Sequence, residues 1–248
     1  MKVIAYTALH YGAAYLGYAI RSIIDQVDEY WVLYSAVGSH GHQTDRQCPD
    51  SREELVAIAQ ATAGSKLRWH DGTWAHEGLQ RETIHELIPD ADIIIVLDAD
   101  EIWNLHYSPK IHMLPEVYEA RYIRHPIIHY WRSFYKCVLH DPAFPIRIIC
   151  PKMPEVHVTI THNAIHPINH MGYAQMPDII EYKQHTHGHK NEWDWSWFHG
   201  KFLPNAQTLV HPVGSEHWNP ETVDPFDYMP AFMREHPYAD LEVIGDTQ

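Results

Sequence analysis

The chain has 248 residues and carries 32 acidic against 18 basic side chains, for a formal net charge of −14 with histidine neutral. This length is enough for one large domain with a sizeable buried core. The acidic balance argues against a broad surface that follows nucleic-acid phosphates, although the 22 histidines reduce the negative charge at mildly acidic pH.

Cysteine usage and hydropathy predict the compartment. Cys48, Cys137 and Cys150 are odd in number and widely spaced, which favours a reducing compartment over a disulfide framework. No apolar run is long enough to span a bilayer, and no secretory signal pattern opens the chain. We therefore expect a cytoplasmic protein without a transmembrane segment.

The first part of the chain alternates short apolar runs with segments of helical periodicity. Strands are predicted at Val3 to Ala8, Tyr30 to Tyr34, Leu67 to His70 and Ile93 to Leu97. Helices are predicted over Ala13 to Ile24, after the capping box of Ser51 and Glu54, and over His76 to Ile88. This alternation predicts an α/β fold of Rossmann type, with a mostly parallel central sheet flanked by helices.

After Trp103 the pattern changes to short strands separated by proline-rich loops. Strands are predicted at Tyr122 to Tyr130, Ile146 to Ile149 and Val156 to Ile160, with no clean helical repeat before about Asn191. We expect mixed or antiparallel strands and loops built over the open edge of the sheet. The tail after Pro204, rich in proline and acidic residues, is expected to wrap the surface.

The most informative stretch is IIIVLDADEIW, in which the apolar run Ile93 to Leu97 leads into Asp98, Asp100 and Glu101. In open α/β sheets, ligands bind at the carboxyl ends of the strands. Period-two geometry points Asp98 and Asp100 the same way, and two such charges repel unless a cation lies between them. Hard divalent ions prefer oxygen ligands. The stretch predicts a metal site, with an acidic turn that simply faces water as the alternative.

The chain resembles the GT-A nucleotide-sugar glycosyltransferases, in particular small family 2-like enzymes, over roughly residues 1–205. The resemblance rests on HEGLQRETIHELIPDADIIIVLDADEIW, on PIRII around Arg147, and on HPINHMGYAQMPDIIEYKQHTHG. It implies a single GT-A-like domain over 1–248 with a nucleotide-sugar-binding half (1–103), an acceptor-side half (104–205) and a C-terminal extension (206–248).

The resemblance implies a metal-dependent transfer of a sugar from a nucleotide diphosphate donor, by default a UDP-sugar, with Mn²⁺ or Mg²⁺ as cofactor. The implied metal ligands are Asp98, Asp100 and His170. The implied substrate-binding residues are Thr7, Ala8 and Leu9 for the base, and Gln80, Arg81, Asp98, Trp103 and Arg147 for the rest of the donor site. Ser35 stands where many relatives carry an acidic residue, which leaves the nucleotide open.

An inverting transfer also needs a group that removes the proton of the acceptor hydroxyl. Asp100 and Glu101 are the candidate catalytic residues, and Asp178 and Glu181 remain open as bases. The acceptor is a glycan or another hydroxyl-bearing molecule, with a nucleic acid not excluded. Arg147 has a structural alternative, an ion pair with a nearby carboxylate.

Two other functions compete with this hypothesis. Haloacid dehalogenase-like phosphatases also place Asp-x-Asp after a buried strand, with the first Asp as nucleophile, but usually on their first strand. A non-enzymatic sugar- or metal-binding module would use the histidine- and tryptophan-rich second half, including Trp193, Trp195 and Trp197. That alternative leaves the βα units of the first half unexplained.

Overall fold

The computed structural model describes residues 1–38, 41–42, 44–105, 110–139, 144–154, 157–160, 167–186, 196–204, 209–210, 217–218 and 220–245. Strands and helices alternate through its first part as the sequence predicts. The elements are β1 (Val3–Leu9), α1 (Ala13–Ile23), β2 (Glu29–Ser35), α2 (Arg52–Ala63), β3 (Leu67–Gly72), α3 (Glu77–Leu87) and β4 (Ile93–Val96). The strands are parallel in the order β4-β1-β2-β3, which confirms an α/β fold with a mostly parallel sheet flanked by helices.

Side-chain caps explain where the first two helices begin. The Ser51 hydroxyl accepts a hydrogen bond from the Glu54 amide at 3.2 Å, as predicted for the start of α2. The amides of Gly12 and Ala13, at the start of α1, donate to Oδ2 of Asp50 at 2.6 and 2.9 Å. A carboxylate there satisfies amides that lack partners within the helix and complements its dipole.

Strand β4 is buried on both faces, as its uninterrupted apolar run predicts. Ile93 and Ile95 pack into the larger core, which also contains buried residues of α1 and α2. Ile94 and Val96 point the other way and pack in a cluster with Ile84 of α3. Alternation along the strand thus joins the helices on the two faces of the sheet through one element.

The rest of the chain extends this sheet and builds a second one. Strands β6 (Tyr122–Arg124), β9 (Ile146–Ile149) and β10 (Val158–Ile160) complete a seven-stranded sheet ordered β10-β6-β9-β4-β1-β2-β3. The second sheet contains β5 (Glu101–Ile102), β7 (Ile127–Trp131), β8 (Lys136–Val138), β11 (Ile168–Tyr173) and β14 (Glu221–Thr222) in the order β14-β8-β7-β11-β5. A further pair is formed by β12 (Leu209–Val210) and β13 (His217–Trp218).

Two predictions for this half are wrong. The single strand expected at Tyr122 to Tyr130 is two strands in different sheets, interrupted at His125 and Pro126, and a proline has no amide to donate to a ladder. Helix α4 (Pro177–Thr186) lies in a region expected to lack helices. Its buried residues, which include Gln184 and Thr186, are partly polar, so the apolar periodicity that identifies a helix is weak. Val156 and Asn191 lie outside the described residues.

The segment 220–245 belongs to the core, which corrects the expectation of a surface wrap. Met229, Met233 and Ile244 are at most 2% exposed and lie in the larger apolar cluster. The buried Arg132 guanidinium donates to the carbonyl oxygens of Leu203 at 2.7 Å and Ile244 at 3.2 Å, which attaches this segment to the second sheet. No described helix is long and apolar enough to cross a membrane.

The buried His236 makes stability depend on pH. Its ring stacks on Tyr15 with centroids 4.5 Å apart, Nε2 lies 3.0 Å from the Ala14 carbonyl oxygen, and burial lowers the pKa of His236 to about 4. Below the ordinary pKa of histidine the unfolded chain therefore binds a proton that the folded chain does not, so stability falls as pH falls.

We expect His236 to reduce the free energy of unfolding by about 3 kcal/mol as pH falls from roughly 7 to 4. His236→Phe removes this contribution. Urea unfolding of both proteins at several pH values measures it, and the difference between their unfolding free energies should change with pH in favour of the variant. A difference independent of pH would contradict the prediction.

Candidate active site

A cavity of about 430 Å³ opens at the carboxyl ends of β1 and β4. This volume is in the range of small-molecule sites, and ligands of open α/β sheets bind at this end of the strands. The residues predicted from the sequence that line it are Ala8, Leu9, Gln80, Arg81, Asp98, Asp100 and His170. The structure thus brings most of the predicted site residues together around one space.

Asp98 is held by two arginines. Its Oδ1 accepts from Nη2 of Arg81 at 2.6 Å, and its Oδ2 accepts from Nη2 of Arg147 at 2.9 Å. Burial alone raises the pKa of Asp98, but the two guanidinium groups outweigh it and lower this pKa well below its ordinary value. Because both oxygens are committed to arginines, the geometry argues against the predicted role of Asp98 as a metal ligand.

Glu101 is a structural carboxylate. It is fully buried, and Nε of Arg147 donates to its two oxygens at 2.9 and 3.1 Å. Burial raises the pKa of Glu101, and the Arg147 charge opposes that shift. Glu101 does not line the cavity, so its predicted role as a catalytic residue is not supported by its position. For Arg147, the structural alternative of an ion pair is what the contacts show.

Asp100 lies in the cavity wall with polar partners other than arginine. Nε2 of Gln175 donates to its Oδ2 at 3.2 Å, and Nζ of Lys183 lies 3.7 Å from the same oxygen. Its Oδ1 lies 3.7 Å from Nε2 of His170. Burial raises the pKa of Asp100, and the Lys183 ammonium acts in the opposite direction. Asp100 is therefore placed to interact with a ligand in the cavity.

Three of the predicted donor-binding residues do not line the cavity: Arg147, described above, Thr7 and Trp103. Thr7 is buried, and its hydroxyl is hydrogen bonded to the Tyr30 hydroxyl. Trp103 is 1% exposed and stacks on His125 with ring centroids 4.9 Å apart, so it packs in the core, not against a substrate. Trp197 is likewise buried, while Trp193 and Trp195 lie outside the described residues.

Gln80 links the ends of two strands beside the cavity. Its Nε2 donates to the carbonyl oxygen of Leu33 at 2.6 Å and more weakly to that of Leu9 at 3.4 Å. It is 7% exposed, so it faces the protein interior and not the solvent. Gln80 therefore holds the ends of β1 and β2 at the spacing that shapes this wall.

Ser35 stands where many members of the resembled family carry an acidic residue, and its hydroxyl and carbonyl oxygen are both hydrogen bonded within the protein. The Ser35 hydroxyl donates to the Val37 carbonyl oxygen at 2.8 Å. Nδ1 of His10 lies 2.8 Å from the Ser35 carbonyl oxygen and Nε2 lies 2.7 Å from the Tyr182 hydroxyl. Burial lowers the pKa of His10, and both of its ring nitrogens are hydrogen bonded within the protein.

Sequence reasoning assigned no site role to several polar residues that line the cavity, among them Glu77, His129, Gln175 and Lys183. Lys183 is in the quoted late segment, but without helix α4 nothing indicated that it faces the acidic turn. Of the open candidates for a base, Asp178 lies beside a smaller depression, and Glu181 pairs with Arg46. Neither of them lines the main cavity.

The described side chains include no group of three or more His, Cys, Asp or Glu residues that could by itself hold a metal ion. A bound metal would therefore need ligands from a substrate or from water. No model of a known protein family matches the chain, and no curated protein matches it.

Replacement of Arg147 should strongly destabilise the protein, because it removes the guanidinium group from two ion pairs. Arg147→Met leaves the buried Glu101 carboxylate without its partner, and we expect the free energy of unfolding to fall by about 3–5 kcal/mol in urea titrations. Adding Glu101→Gln to that variant should recover part of the loss, since the buried charge is then absent. Arg52→Met, which removes an exposed pair with Asp71, is the control and should change stability little. A loss no larger than in the control would contradict the prediction.

Proposed function

We propose that the protein is a metal-dependent glycosyltransferase of GT-A fold, which moves a sugar from a nucleotide diphosphate donor, first of all a UDP-sugar, to a hydroxyl of an acceptor. The observation that carries the proposal is the approach of Asp100 and His170 in the cavity at the carboxyl ends of the parallel strands. Both residues were predicted as ligands of the same ion, and they are 70 residues apart in the sequence.

The donor set fits a divalent ion that binds together with a substrate. Two ligands on one such ion, each about 2.1 Å from it, lie roughly 3–4 Å apart. Oδ1 of Asp100 and Nε2 of His170 are separated by 3.7 Å. Mg²⁺ commonly uses only one or two carboxylates and completes its shell with water and substrate phosphates. When bound, the ion would supply Lewis-acid stabilisation of the departing diphosphate.

The distribution of charge around the cavity supports the proposal of a bound divalent ion. Asp98, Glu101 and Glu77 engage the two arginines, Arg81 and Arg147, in ion pairs. The charges of these guanidinium groups are therefore already balanced by protein carboxylates. Lys183 is near Asp100 and supplies one further positive charge on the cavity side. A doubly charged cation would give the site the positive charge that a departing diphosphate requires.

The protein groups have separate roles in this proposal. Ala8, Leu9 and Gln80 form the wall against which the nucleoside would bind, and Lys183 would pair with a phosphate oxygen. Three carboxylates line the cavity among the described residues: Glu77, Asp98 and Asp100. Asp100 is the one of these three without an arginine partner, so we assign the metal to it together with His170.

The geometry disfavours a phosphatase of the haloacid dehalogenase type. In that mechanism the first aspartate of the motif attacks phosphorus and needs a free carboxylate oxygen. Both oxygens of Asp98 accept hydrogen bonds from guanidinium groups. The motif also follows β4 and not the first strand.

The proposal predicts metal-linked binding of a nucleoside diphosphate through Asp100. The melting temperature should rise more with UDP and MnCl₂ together than with either alone, by the equivalent of about 2.7 kcal/mol at a hundredfold excess over Kd. Asp100→Asn should abolish the metal-dependent part and leave the circular dichroism spectrum unchanged.

Glu181→Gln, which alters a carboxylate outside the cavity, is the matched control and should retain the full shift. UDP, GDP, CDP and TDP are compared in the same way, since the base is not assigned by the cavity. If none of these diphosphates shifts the melting temperature in a metal-dependent way, the proposed donor class is wrong.

A further inference from the structure

Two histidines lie side by side at the base of the cavity. His129 of β7 and His170 of β11 are directly opposite each other in the parallel pairing of these strands. Their rings are nearly perpendicular, with centroids 4.8 Å apart, and the two Nδ1 atoms are separated by 2.7 Å. This is hydrogen-bond distance, so one Nδ1 carries a hydrogen and the other presents its lone pair.

The His170 ring is held in place from a second side by Gly172. A Cβ atom at Gly172 would collide with Cε1 and Nε2 of the ring, so the imidazole packs directly over this glycine. With Nδ1 directed to His129, the other nitrogen lies on the side of Asp100, at 3.7 Å from its Oδ1. Ring packing and strand register thus determine which nitrogen of His170 is on the ligand side.

A hydrogen on either Nδ1 satisfies the 2.7 Å contact, so the histidine pair has two possible arrangements. A hydrogen on Nε2 of His170 would point toward Asp100, but 3.7 Å is too long for a hydrogen bond to that carboxylate. A hydrogen on Nδ1 has an acceptor at 2.7 Å in His129. With that hydrogen on Nδ1 of His170, the hydrogen of neutral His129 is on its own buried Nε2. A divalent cation on Nε2 of His170 requires this arrangement, because that nitrogen must then present a lone pair.

We propose that His129 is a positioning residue that accepts the hydrogen of Nδ1 of His170 and thereby keeps the lone pair of Nε2 directed toward Asp100. This inference rests on the proposed function, since that lone pair is what a divalent cation would bind. Histidine ligands commonly have their second nitrogen oriented by a hydrogen-bond partner of this kind. His129 itself is not assigned as a metal ligand.

The first test is the tautomer of His170 in the metal-free protein. Two-bond ¹H–¹⁵N spectra of the ¹⁵N-histidine-labelled full chain distinguish a ring nitrogen that carries hydrogen from one with a lone pair, and loss of signals in His170→Asn assigns them. We expect hydrogen on Nδ1 and a lone pair on Nε2. Hydrogen on Nε2 of the wild-type ring would overturn the inference without any variant of His129.

The second test compares two substitutions of His129 by Mn²⁺ affinity, measured by electron paramagnetic resonance without substrate. His129→Leu removes the acceptor and should weaken Mn²⁺ binding by about 10- to 100-fold. His129→Asn keeps an acceptor oxygen near the position of Nδ1 and should bind within about threefold of wild type, by the same reasoning. Equal affinity in the two variants would overturn the inference.

The two tests distinguish a failure of this inference from a failure of the proposed function. If wild type binds no Mn²⁺ yet His170 carries its hydrogen on Nδ1, the metal-dependent function fails and the role of His129 in orienting His170 stands. If Mn²⁺ binds and the hydrogen is on Nε2 in the metal-free protein, the function stands and the role of His129 fails. A melting temperature for each variant shows whether the comparison is made between folded proteins.

Discussion

The turn after β4 depends on a buried network in which Arg147 and Arg81 hold Asp98 and Glu101. Arg147 belongs to β9 in the large sheet and Arg81 to α3, whereas Glu101 belongs to β5 in the second sheet. The network therefore joins a helix and both sheets at one point. Buried charges are tolerated only when they are paired and hydrogen bonded, so each member needs the others.

With that turn held, its backbone positions the rest of the site. The amide of Met171 in β11 donates to the Asp100 carbonyl oxygen at 2.8 Å, which places the neighbouring His170 beside the Asp100 side chain. Gly12 approaches from the other side, with φ of 140°, and a Cβ there would lie 2.7 Å from Cβ of Ala99. A larger residue at either position would separate α1 from the turn, so the small side chains are required by this packing.

The acidic motif divides into two parts with different tasks. Asp98 and Glu101 are consumed by the arginines and stabilise the turn, while Asp100 is left at the cavity with Lys183, Gln175 and His170. Three adjacent carboxylates are thus not equivalent, although they are the same functional group within four residues. Burial raises the pKa of all three carboxyl groups, and the pKa is lowered only at Asp98, where two guanidinium groups outweigh burial.

The sequence by itself determined the βα order, the buried β4 and the location of the candidate site at its carboxyl end. These features depend on local periodicity and on the general position of ligands in open α/β sheets. Only the tertiary structure decided which carboxylate lacks an arginine partner, because Arg147 lies 46 residues beyond Glu101 in the chain and reaches it through the antiparallel pairing of β9 with β4. The same holds for His129, which meets His170 through strand register, and for Lys183, whose helix has a partly polar buried face that periodicity does not identify.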